Sequence, residues 1–294
     1  MKIIFMGTPD FAVPSLDAVK RDVIAVVSQP DRPKGRGHKL QPTPVKAFAQ
    51  ANNLPVLQPN KVREIIPQIA ALEPDLIVVV AFGQILPQAL LDVPKLGCIN
   101  VHASLLPRYR GAAPVEWSII RGEKLTGVTT MLMNAGLDTG DMLLKREVPI
   151  GEDMILPELR LQLMTTGAEL LIETLNRLAD IEPIKQDDSL STYAPLLKKD
   201  TGLIDWRQPA REIHNLVRGL YGGARSGKFK IWRTRLAEGT LAPAQIKIVG
   251  QRLFVGTGDG TLEILEIQAP NAKKLAAADF LRGNKVGDSF WTNA

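Results

Sequence analysis

The segment Asp75–Ala81, DLIVVVA, restricts the fold more than any other part of the chain, because it is apolar without alternation. Successive side chains of a strand point to opposite faces, so a strand with one wet face alternates polar and apolar residues. An unbroken apolar run therefore belongs to a strand covered on both sides, as in a parallel sheet sandwiched by helices. Just upstream, Ile65–Leu72 reads as an apolar helical stretch that Pro74 ends. The same texture opens the chain. Lys2–Met6 is a short apolar run closed by Gly7, Pro14–Lys20 has helical spacing with proline in its first turn, and Val23–Ser28 is β-branched. Cys98–His102 and Gly127–Met133 add two more strands. This alternation predicts an α/β domain with a Rossmann-like, mostly parallel sheet. Ligands in such sheets bind beyond the carboxyl ends of the strands.

After the amphipathic stretch Glu158–Leu178 the texture changes. Ile181–Asp205 is polar and mixed, with Pro183 and Pro195, and reads as a linker. Beyond it lie short strands at Lys228–Arg235, Gln245–Val249, Arg252–Val255 and Thr261–Gln268, with Gly256–Gly260 suited to a hairpin. These predict a small β-barrel of the OB type. The expected organisation is 1–184 as the first domain, 185–205 as linker and 206–294 as barrel. From Arg207 onward there are 14 Lys and Arg against 7 Asp and Glu, whereas residues 1–206 hold 22 against 24. Such asymmetry points to a nucleic-acid partner for the basic half, although an inert solvated surface has the same composition. One cysteine, Cys98, excludes an intrachain disulfide and a cysteine metal cluster. No apolar run is long enough for a membrane span, and the first residues read as a strand rather than a secretory signal, so the cytoplasm is expected.

The stretch that carries chemistry is Gly97–Pro114, GCINVHASLLPRYRGAAP. Asn100 and His102 are two apart on a strand and share a face. Of the three histidines, His38 lies in a Pro/Gly/basic loop and His214 in a polar helix, which leaves His102 as the best-placed imidazole. A second strand runs into a Gly/Asp-rich loop in Met131–Leu143, MLMNAGLDTGDML, with Asp138 and Asp141. Each stretch alone has a plain reading: a lone strand-end His is more often structural, and Asp-Thr-Gly-Asp is ordinary turn composition. Together they suit acyl transfer to an amine. Asn100 and a protonated His102 would donate to the carbonyl oxygen as it gains charge, an arrangement worth roughly 3–4 kcal/mol per donor. Asp138 would hold the imidazole and accept the proton that the amine releases. A serine hydrolase built on Ser104 fits poorly, since no Gly-x-Ser-x-Gly elbow surrounds it. The first turn, GTPDFA, lacks the Gly-x-Gly-x-x-Gly of a dinucleotide site.

NVHASLLPRYRGAAP followed by GLDTGD resembles the folate-dependent formyltransferases. Asn100, His102 and Asp138 fall on that family's catalytic Asn-x-His and Asp positions. GTPDFAVPSL and SQPDRPKGRGHKLQPTPVK are similar to the members that act on methionyl initiator tRNA, and the resemblance runs over nearly the whole chain. It implies 10-formyl-tetrahydrofolate as donor, initiator methionyl-tRNA as acceptor, no metal, and a monomer. It also implies folate contacts at Phe82, Gly83, Gln84, Ile85 and Leu86, at Ser104, Leu105, Leu106 and Pro107, and at Leu137, Thr139, Gly140 and Asp141. Read from its residues alone, VAFGQIL is a strand end entering a helix with its apolar side chains in the core. Two alternatives stay open: a formyltransferase for a small amine such as a purine precursor or amino sugar, and a non-catalytic RNA-binding protein.

Two basic stretches suit RNA. Asp31–Lys46 carries Arg32, Lys34, Arg36, Lys39 and Lys46 against one acid in a Pro/Gly-rich loop. In the resembling family this loop enters the acceptor end of the tRNA; on composition alone it could be a disordered surface loop. Arg211–Arg235 includes Arg211, Arg218, Lys228, Lys230 and Arg233, interleaved with Tyr221, Phe229 and Trp232. The plain reading puts Phe229 and Trp232 in a strand core. This region departs from the family: Leu220–Gly227 stands where relatives carry a longer Pro- and Trp-containing stretch. Met154 also stands where a Thr is common.

Overall fold

The structure is a computed structural model that describes residues 1–34, 39–284, 286, 287, 289 and 290. The chain divides into two compact units. The first comprises Met1–Gly111, Thr126–Val148 and Arg160–Tyr193; the second comprises Ala112–Leu125, Pro149–Leu159 and Ala194–Ala294. The helix Pro114–Ile120 and the segment Pro149–Leu159 thus group with the C-terminal part rather than with the sheet that flanks them in sequence.

The first unit is built on a seven-stranded sheet of β1 (Ile3–Gly7), β2 (Val23–Val27), β3 (Val56–Leu57), β4 (Leu76–Val80), β5 (Cys98–His102), β6 (Leu125–Leu132) and β7 (Met142–Pro149), in the order β7-β6-β5-β4-β1-β2-β3. Strands β3, β2, β1, β4 and β5 pair in parallel. Every residue of β1 and β4 is buried, as an unalternating apolar strand requires. One core face gathers Ile4, Met6, Ile77, Val79, Leu90 and Cys98. Strand β6 breaks the pattern. It runs antiparallel to β5, with His102 opposite Thr129 and Ile99 opposite Leu132. The sequence texture carries no sign of this reversal, and β7, with its Lys-Arg-Glu centre, is also a strand that periodicity does not announce.

The second unit carries an antiparallel β domain of β8 (Arg225–Ser226), β9 (Phe229–Ala237), β10 (Ile246–Val249), β11 (Arg252–Gly256), β12 (Thr261–Gln268) and β13 (Leu275–Ala276). β9, β12, β11 and β10 pair successively, and β11 and β12 form the hairpin expected at Gly256–Gly260. The core holds Trp206, Ile213, Val217, Phe229, Ile231, Leu262, Phe280 and Phe290. Trp206 stacks on Phe290 at 5.4 Å and gives its indole hydrogen to Ser226. The helix Ala210–Gly219 lies against Pro114–Ile120, where Gly219 permits close approach: a Cβ there would stand 2.8 Å from Ile120. Among the described residues no helix is long and apolar enough to cross a membrane.

Candidate active site

Asn100 and His102 both come from β5, two residues apart, where Asn100 pairs with Val79 on one side and Met131 on the other. Asp138 reaches them by a less direct route. Because β6 is antiparallel, the loop after it starts level with Cys98, where Met133 N–H donates to the Cys98 carbonyl at 2.8 Å. The chain then folds back, and Asp138 Oδ1 stands 3.7 Å from His102 Nδ1. His102 and Asp138 are therefore neighbours, though not as adjacent strand ends of a parallel pair. Asp138 sits at φ +52°, a conformation that costs a side-chain-bearing residue energy unless its surroundings hold it. Gly140 must be glycine for close approach, since a Cβ would lie 1.6 Å from the Leu132 carbonyl oxygen.

His102 is buried, and its Nε2 lies 3.0 Å from the Tyr109 carbonyl. A carbonyl only accepts, so that nitrogen carries hydrogen and the ring orientation is fixed. The Nδ1 edge faces Asp138 at a distance within ion-pair range and beyond a hydrogen bond. Asp138 Oδ2 accepts the Gly111 N–H at 2.8 Å. The loop after His102 is braced on Thr129, which donates to the Ser104 carbonyl at 2.7 Å and accepts from Leu106 N–H at 3.1 Å. Lys145 gives a hydrogen to the Leu106 carbonyl, and burial holds its pKa below the usual lysine range.

The expected folate residues divide into two sets. Phe82 (2% exposed) and Leu86 pack into the sheet core, and Leu106 packs against Met131 and Met142. Ser104 is buried and gives its hydroxyl hydrogen to the Arg108 carbonyl. Gln84 is engaged with Val62 and Asn60. The apolar strand end closes on its own core, so at Phe82 and Leu86 burial outweighs exposure to a ligand. Gly83, Ile85 (84% exposed), Leu137 and Asp141 remain at the surface. Thr139 donates to Asn134, and Gly140 is buried beneath it. Leu105 and Pro107 line a groove of about 670 Å³ with Leu106, Arg108, Lys145, Glu147 and Leu190.

The expected RNA residues divide too. Arg32 is exposed on a short ladder of Arg32–Lys34 with Lys39–Gln41, while Arg36, like His38, lies outside the described residues. Lys46 is paired with Asp31 at 2.6 Å. A hydrogen bond from Gln58 and then this lysine hold the Asp31 carboxyl below the usual range. In the second unit Lys228 and Lys230 are exposed, Arg233 is half-buried, and Arg211 is exposed 3.9 Å from Glu152. Arg218 does not belong with them. It is 5% exposed, and its Nε and Nη1 donate to Asn215 and to the carbonyls of Gly151 and Met154. Phe229 is a core residue, as the plain reading has it, and Trp232 is half-buried against Tyr221.

Sequence reasoning missed Gln186 and Arg110. Gln186 lies in the polar stretch read as linker, but its side chain is buried and its amide nitrogen reaches the carbonyls of Asp138 and Gly140. Arg110 bonds the other end of that amide. No periodicity marks either residue. The presence of Arg110 within the motif stretch was the only available signal.

Comparison with known proteins gives the following. Residues 1–175 match the family Formyl transferase, and residues 196–285 match Formyl transferase, C-terminal domain. The methionyl-tRNA formyltransferase of Pelobacter propionicus is 56% identical, with 97% of this chain and 94% of that protein covered. That of Ruminiclostridium cellulolyticum is 48% identical, with 97% of each covered. Among solved structures, the N-formyltransferase from Helicobacter canadensis in complex with folinic acid and dTDP-3-aminofucose superposes with a TM-score of 0.70 at 21% identity, over 94% of this chain and all of that one. At that identity the likeness speaks for the fold.

Proposed function

From the premise that the chain belongs to the methionyl-tRNA formyltransferase family, and so to the folate-dependent formyltransferases, we propose that it moves a formyl group from 10-formyl-tetrahydrofolate to the amino group of methionyl initiator tRNA. The observation that carries the chemistry is the approach of Asp138 to His102, remote in sequence and 3.7 Å apart in space, with Asn100 two residues from His102 on the same strand. The formyl-folate, when bound, supplies a carbonyl carbon, and tetrahydrofolate leaves. The acceptor amine is the nucleophile, so no protein side chain needs to form a covalent bond. The Asn100 amide and the His102 imidazolium stabilise the carbonyl oxygen as negative charge develops there. With Nε2 held by Tyr109, His102 offers only its Nδ1 edge to that oxygen; Asp138, 3.7 Å from Nδ1, takes the proton released by the attacking amine and returns it to the departing tetrahydrofolate nitrogen as the bond between that nitrogen and the formyl carbon breaks.

Exposed Gly83, Ile85 and Leu137, together with the groove at Leu105 and Pro107, offer apolar surface suited to a flat heteroaromatic donor. In the division of labour that follows, the unit built on the seven-stranded sheet binds folate and performs the chemistry, and the unit with the antiparallel β domain holds RNA through exposed cations such as Lys228 and Lys230. A single chain carries all of these groups, so a monomer suffices, and the cytoplasm is where such a substrate occurs. The deciding experiment is a formyl-transfer assay with Met-tRNA, free methionine and small amino sugars as competing acceptors. Preference for an amino sugar, or transfer to none, would overturn the reading.

A further inference from the structure

Gln186 is 5% exposed, in a stretch whose composition suggests a solvated linker. Its amide nitrogen has two hydrogens, and both are used: one on the Asp138 carbonyl at 2.8 Å, the other on the Gly140 carbonyl at 2.7 Å. Its amide oxygen accepts from Arg110 Nε at 3.0 Å. Arg110 is held in turn by Asp188 at 2.7 Å. Two carbonyls on one side and a donor on the other leave one orientation of the amide that satisfies all three partners.

The two carbonyls flank Thr139, so Gln186 fixes the main chain on both sides of it. Asp138 is the residue at φ +52°. An αL conformation away from glycine is strained and persists only where the surroundings over-determine it. Here they do. The Arg110–Gly111 element grips Asp138 twice: Gly111 N–H holds the carboxylate at 2.8 Å, and Arg110 acts through Gln186 on the carbonyl of the same residue.

We propose that Gln186, locked by Arg110, is a positioning residue that holds Asp138 in its left-handed conformation and so keeps the carboxylate beside His102 Nδ1. The proposal rests on the reading of Asn100, His102 and Asp138 as the catalytic groups. It assigns Gln186 to the active site rather than to a passive connection.

The test is steady-state formyl transfer by the full chain from 10-formyl-tetrahydrofolate to Met-tRNA, with Gln186→Met, which keeps length and volume and removes the three hydrogen bonds. The variant should lose about tenfold in kcat while KM for both substrates stays within about twofold, the signature of a lost transition-state contribution. In an Asp138→Asn background the same change should cost nothing more, because residues that act as one unit are not additive. A kcat within about twofold of the parent, or an equal loss with and without Asp138, would overturn the clamp. Should Gln186→Met not yield folded protein by circular dichroism, Arg110→Met carries the same test, with an expected loss of about threefold that also vanishes in Asp138→Asn. Absence of transfer by the unaltered protein would instead overturn the functional reading beneath it.

Discussion

The strand end around His102 and the helix around His214 are built from similar parts and reach different ends. Both rings are buried, and each directs Nε2 at a main-chain carbonyl, Tyr109 at 3.0 Å and Glu152 at 3.2 Å. At His214 the second nitrogen is closed by the Thr234 hydroxyl at 2.9 Å. Burial holds this ring's pKa below the usual histidine range, against the opposing pull of the Glu152 carbonyl and Asp153. At His102 the second nitrogen faces a carboxylate at 3.7 Å, a contact that is near but unmade. Both nitrogens of the His214 ring are hydrogen-bonded, whereas the role proposed for His102 uses the nitrogen that is not. The cations divide the same way. Arg218 gives its hydrogens to Asn215, Gly151 and Met154, whereas Lys228 and Lys230 face solvent. Residue type and charge do not reveal which case applies.

The strongest challenge to this contrast is to truncate both histidines. His102→Ala should lower kcat by about 100-fold or more with folding intact, as should Asn100→Ala and Asp138→Ala. His214→Ala should leave kcat within about threefold and lower stability in urea melts, since it leaves buried partners unsatisfied. Equal kcat losses at the two histidines would break the comparison.

A second test sets buried against exposed cations. Arg218→Ala should destabilise the protein by about 2–3 kcal/mol in chemical denaturation, because it removes charged hydrogen bonds from a buried site. Lys228→Glu with Lys230→Glu should leave the melting temperature nearly unchanged. The pair should weaken tRNA binding by about tenfold and flatten the slope of log K against log salt, since phosphate contacts release counterions. A normal salt slope in the double variant would mean that those lysines are only a solvated surface.

A smaller effect is expected at the first basic loop. Arg32→Glu should lower kcat/KM for Met-tRNA about fivefold with folate KM unchanged, whereas Lys46→Ala should mainly loosen the loop base, because Lys46 is already paired with Asp31. A change below about twofold for Arg32→Glu would remove the loop from the RNA contact.

The smallest effect is on pH dependence. Because folding depresses the His214 pKa, the unfolded chain binds more protons between that lowered value and about 6.5. Stability contributed by the neutral ring is therefore full above this window and is lost as pH falls through it. His214→Gln should flatten the stability profile below about pH 6.5, as measured by urea melts across pH. A profile identical to the parent would show that other groups set the acid response.

The sequence by itself determined the sheet strands that are buried on both faces and the placing of Asn100 beside His102, because both follow from the two-residue period of a strand. It also marked the short antiparallel strands and the hairpin at Gly256–Gly260 in the second unit, where turn residues punctuate apolar runs. What it could not determine are contacts between distant segments. The antiparallel register of β6 decides where the next loop begins, and the fold-back of that loop brings Asp138 to His102 from 36 positions away in the chain. The bonds from Gln186 to this loop, and the burial of Arg218 and Phe82, are likewise tertiary. Local periodicity fixes which face a side chain takes. Only the packing of remote segments decides whether that face meets solvent, a neighbouring core or another functional group.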